Sequence, residues 1–78
     1  MIYTPMTKKA IKVMYNAHKD QVDKAGMPYV LHPIHVAEQM QDEDRTIVAL
    51  LHDVVEDSDM TFEKLTEYGF SITVIESL

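Results

Sequence analysis

The chain has no cysteine and no tryptophan, so disulfide frameworks and thiolate metal sites are both excluded. Only two glycines and three prolines punctuate its 78 residues, which points to helices with short joints. No segment alternates cleanly between apolar and polar over five or more residues, so strands have little support. Long apolar runs are also missing. The longest is Ile47 to Leu51, far short of a membrane span. The N-terminus has no apolar segment behind a charged start, so no signal peptide is read and a cytoplasmic location is expected. Basic charge is scarce: thirteen acidic residues against seven basic ones give a net charge of −6. Nucleic-acid binding usually shows a basic stripe, so neither DNA nor RNA is an expected partner. Nor is a membrane.

What is present is apolar content of 46%, arranged at helical spacing. The length allows one small domain. A domain of this size buries only roughly 60% of its unfolded surface, and a metal or a partner often completes so thin a core. Charge is uneven along the chain. Residues 1–24 hold five lysines and two aspartates, a net of +3, while residues 25–78 hold two basic and eleven acidic residues, a net of −9. The lysine-rich start reads most simply as a solvated helix face.

The pattern predicts an all-α fold, a compact helical bundle of about five helices. Thr4-Pro5 reads as an N-cap followed by proline at the first helical position. Met6, Ala10, Val13, Met14 and Ala17 then form one stripe, and the helix should run to about Asp23 with Gly26 supplying a left-handed stop. His32-Pro33 opens a second helix. Asp44 is the expected cap of a third, Arg45 to about Asp57, which is apolar nearly all round and therefore central. It needs more cover than its short neighbours supply, so exposed apolar surface and a homo-oligomer are expected. Thr61 caps a fourth helix that Gly69 closes, and Ser71 opens a fifth.

The most informative stretch is L-L-H-D-V-V-E-D-S, residues 50–58. It sets His52, Asp53, Glu56 and Asp57 into the most apolar helix. Unpaired charges cost several kcal/mol each to bury, so their presence needs a reason. On a continuous helix His52 stacks on Glu56 and Asp53 on Asp57. Three acids so close should repel and raise one another's pKa. A divalent cation removes that repulsion and takes imidazole and carboxylate as ligands. A fraying helix end with acids in water is the simpler alternative. His32 and His35 could share one face, whereas His18 beside the first stripe reads as a hydrogen-bonded core histidine.

Together these residues resemble the hydrolase domain of the RelA/SpoT alarmone family, within the HD phosphohydrolase superfamily. The matching pieces are A-H-K-D-Q-V-D-K-A-G-M-P-Y-V-L-H-P-I-H-V-A at residues 17–37, V-A-L-L-H-D-V-V-E-D-S-D-M-T at 48–61, and Y-G-F with the following Val74. The resemblance implies an all-helical domain holding one divalent ion, usually manganese. Its ligands here would be His32, His52 and Asp53. Glu56 and Asp57 would orient and deprotonate the attacking water. The implied reaction removes pyrophosphate from the 3′ position of a guanosine tetra- or pentaphosphate, with Lys24 as a phosphate contact.

On the same resemblance, residues 1–78 form the N-terminal part of a single hydrolase domain, and the family's later helices, with a fourth ligand aspartate, are expected beyond Leu78. The family often has arginine where this chain has Asp23. The other reading is a non-catalytic helical module with a binding or regulatory role.

Overall fold

A computed structural model describes residues 1–78, and its architecture is an all-α bundle. The helices are α1 (Pro5–His18), α2 (Leu31–Glu38), α3 (Glu43–Leu51), α4 (Val54–Asp57), α5 (Phe62–Glu67) and α6 (Ile72–Glu76). There are six where the sequence predicts about five, because the third breaks at His52-Asp53. The only β pairing is a bridge between Val22 and Pro28.

Local chemistry fixes the starts. The Thr4 and Thr7 hydroxyls each accept from the other residue's backbone N–H, at 3.1 and 2.7 Å, satisfying donors that a bare helix start leaves unpaired. Asp42, not Asp44, caps α3: its carboxylate accepts from Arg45 N–H at 2.7 Å, and Glu43 and Asp44 then lie in the first turn against the positive end of the helix. Thr61 and Ser71 cap α5 and α6 as expected.

α1 stops at His18, about five residues before the expected end. Beyond His18 no side chain on the stripe reaches the core, since Val22 is 64% exposed, so burial does not stabilise another turn. The chain instead forms a loop that satisfies its own backbone. Gly26 N–H bonds Asp23 O at 3.0 Å, and the Asp23 carboxylate accepts from Ala25 and Met27 N–H at 2.8 and 3.0 Å. Gly26, at φ +82°, serves this turn and not a helix stop.

α3 is the central element and packs against α1, α2, α4 and α6. Ala10, Val13 and Met14 of α1 meet Ile47, Ala49, Leu50 and Leu51 of α3, and Ala37, Val54, Leu65, Phe70 and Val74 close the core from the other segments. Leu50 and Leu51 are fully buried within the single chain, while Val48 of α3 is half-buried and Tyr3, Val22 and Ile72 stay exposed elsewhere. α6 packs against α3, and Phe70 of the α5–α6 joint enters the same core. On the lysine-bearing face of α1, Lys9 Nζ donates to Tyr68 O at 2.7 Å, tying α1 to the C-terminus of α5. No helix is long and apolar enough to cross a membrane.

Candidate functional site

Asp53 sits where α3 breaks, at φ −99° and ψ 0°, just before α4 resumes. The Tyr29 hydroxyl, on the loop before α2, donates to Asp53 Oδ2 at 2.5 Å. The other carboxylate oxygen lies 3.0 Å from His52 Nδ1. Asp53 is therefore held from both sides while its backbone turns. The residue is largely covered (side chain 22% exposed), whereas His52 stands out at 70%.

His32, in the first turn of α2, lines the same cavity as His52 and Asp53. The cavity measures about 590 Å³, and Val36, Met40, Val48 and Ala49 form its apolar wall. Two helices and the α3–α4 break thus converge on one space. His52 and Asp53 are in contact, but no three acidic or imidazole side chains are grouped closely enough to enclose an ion as they stand. Glu56 and Asp57 are exposed on α4, and neither carboxylate makes a hydrogen bond or ion pair. The break in α3 removes the continuous helix on which they were expected to stack over His52 and Asp53. Lys24 is exposed at the 23–27 turn and does not line the cavity. His35 is exposed on α2 and is likewise not part of that wall.

The electrostatics also differ from expectation. Asp53 lies below the ordinary carboxylate value, not above it. The Tyr29 hydrogen bond is the main cause, and the hydrogen bond and charge of His52 and the charge of His32 reinforce it against the effect of burial. Reciprocally, Tyr29 is pushed up to about 12 by that hydrogen bond first, then by burial and by the charges of Asp53, Asp57 and Glu56.

His18 is fully buried and hydrogen-bonded, as its position suggested. Its Nδ1 lies 2.8 Å from Gln21 Oε1, and the Gln21 amide donates to Asp57 O at 2.9 Å. The amide orientation makes Nδ1 the donor. The His18 ring packs on Tyr29 at 4.8 Å between centroids, and Tyr29 in turn lies 5.8 Å from the His32 ring. Tyr29 and Gln21 were missed in the sequence. A tyrosine three residues before the His32-Pro33 pair, in a loop anchored by Gly26 and Pro28, was the available signal.

The donor types that His32, His52 and Asp53 bring to this cavity suit a divalent ion. Mixed imidazole and carboxylate donors suit first-row divalent metals.

A helical bundle presenting a His-Asp doublet to a cavity edged by a further histidine is the architecture of one protein class. The chain belongs to that class, the HD domain family, which matches residues 10–76. Among its relatives is a guanosine-3′,5′-bis(diphosphate) 3′-pyrophosphohydrolase from Aquifex aeolicus, 38% identical over 64 residues, covering 77% of this chain and 9% of the relative. A GTP pyrophosphokinase from Myxococcus xanthus is 42% identical over 64 residues, covering 77% and 8%. The bifunctional (p)ppGpp synthase/hydrolase SpoT from Escherichia coli K12 is 36% identical over 70 residues, covering 83% and 10%. The chain spans about a tenth or less of the length of these relatives, whose names place them in the RelA/SpoT group. HD-domain phosphohydrolases are metal-dependent.

Proposed function

We propose that this chain is part of a single HD hydrolase domain whose His32, His52 and Asp53 hold one divalent ion, Mn²⁺, and whose reaction is removal of pyrophosphate from the 3′ position of a guanosine polyphosphate. The observation that supports this reading is the convergence of those three side chains on one cavity, in a chain matched by the HD domain family. When bound, the ion supplies Lewis-acid charge for a phosphoryl group and makes a water more acidic.

The chain's own residues do the rest. Glu56 or Asp57, exposed on α4 and outside the residues that line the cavity, takes a proton from the attacking water only if that water is held at the α4 edge of the site. As the water oxygen bonds to phosphorus, the bond to the 3′ oxygen breaks and that oxygen takes up a proton. The apolar wall of Val36, Met40, Val48 and Ala49 limits water around the reacting group. Lys24 contacts substrate phosphate only if the 23–27 loop bends toward the cavity. A cytoplasmic location and a homo-oligomer using exposed Tyr3, Val22 and Ile72 belong to the same proposal, and sedimentation as a clean monomer contradicts the oligomer.

The test is Mn²⁺-dependent pyrophosphate release from guanosine tetraphosphate. Glu56→Gln should slow it on the order of 100-fold, the usual scale of a lost general base. Equal rates reject the role of Glu56. Mn²⁺ binding without any release favours the second reading, a non-catalytic module, to which the absence of Lys24 from the cavity wall also points.

A further inference from the structure

Tyr29 links Asp53, His32 and the buried His18. Its hydroxyl meets Asp53, and its ring lies 4.8 Å from the His18 ring and 5.8 Å from the His32 ring, centroid to centroid. Its backbone is fixed as well: Tyr29 N–H bonds Gln21 O at 2.9 Å beside the Val22–Pro28 bridge. A phenol so anchored has little freedom to follow Asp53; the carboxylate must conform to it.

We infer that Tyr29 is a positioning residue of the ion site, holding Asp53 Oδ2 so that Oδ1 stays beside His52 Nδ1. The inference rests on the metal reading given above and extends it to a residue that touches neither ion nor substrate. A carboxylate with both oxygens free rotates and samples several binding modes. With Oδ2 engaged by the hydroxyl, one oxygen remains for the ion in a fixed direction. Partners of ligating groups typically contribute 10–100-fold to metal affinity by this means. The support continues behind Tyr29. His18 is itself locked by Gln21, and Gln21 holds the backbone of Asp57. One chain of contacts from the end of α1 therefore sets both the doublet and the acidic end of α4.

Tyr29→Phe isolates the claim, because it keeps the ring against His18 and removes only the hydroxyl. Mn²⁺ alone is titrated calorimetrically into the full chain and into the variant, both without prior metal and at a temperature where circular dichroism shows both folded. Co²⁺ is then substituted and its visible absorption recorded. The expected result is binding weakened about 10- to 100-fold, with a changed Co²⁺ band because the carboxylate no longer presents one fixed oxygen. Equal affinity in the two proteins overturns the inference while leaving the metal reading intact. Weaker affinity with an unchanged Co²⁺ band also overturns it, since a loss of general packing leaves the ligand geometry alone. Failure of the parent chain to bind Mn²⁺ refutes the metal reading itself.

Discussion

Raising the pH reads the Tyr29–Asp53 hydrogen bond in the fold without any metal. The phenol is pushed up from 10.0 to about 12, first by that bond, then by burial and the nearby acids. At about 1.36 kcal/mol per pH unit the gap corresponds to ~2.7 kcal/mol if nothing screened it. The group is partly exposed, and solvent screening reduces the figure to about 1 kcal/mol. The sign follows from linkage. A folded-state value above the unfolded one gives stability that is fully present below pH 10 and lost as pH rises toward about 12. Urea denaturation of the parent and of Tyr29→Phe, compared at steps through that window, should show a parent advantage of about 1 kcal/mol that closes at the alkaline end. Subtracting the variant's ultraviolet titration from the parent's isolates the Tyr29 phenolate, whose midpoint should lie near 12. A midpoint near 10, or a parent advantage that does not change with pH, would refute the reasoning.

Two stability predictions test the bundle. Leu50→Ala, at a fully buried position of α3, should cost about 2–5 kcal/mol in urea denaturation, and a loss under 1 kcal/mol would contradict the central placement of α3. Asp42→Ala should cost about 1 kcal/mol by removing the cap on Arg45 N–H, whereas Asp44→Ala should cost less; the reverse order would restore Asp44 as the cap.

The helix order and most of the starts were legible because they depend on local chemistry. Thr4, Thr61 and Ser71 each satisfy a backbone donor three residues on. His18 was legible as a core residue because it extends the stripe of Ala10 and Met14. The ends and breaks were not, because they depend on tertiary partners. Nothing in residues 50–58 reveals that a tyrosine from a distant loop grips Asp53, or that the helix breaks there. The same blind spot inverted the electrostatics. Counting neighbouring acids predicts an upward shift, but a hydrogen bond from 24 residues away decides the direction for Asp53. Asp23 shows the converse. Its carboxylate closes its own loop, so that position does structural work here. His32 was marked as a site residue by the resemblance alone, its proline signalling only a helix start, and its place on the same wall as the doublet follows from α2 packing beside α3.

The most direct test is diffraction from crystals grown with Mn²⁺, using the ion's anomalous scattering to locate it. A single strong peak is expected within bonding distance of His32, His52 and Asp53, and it should be lost in His52→Ala. A cavity without a peak at saturating Mn²⁺, or an ion bound elsewhere on the chain, would contradict the metal reading.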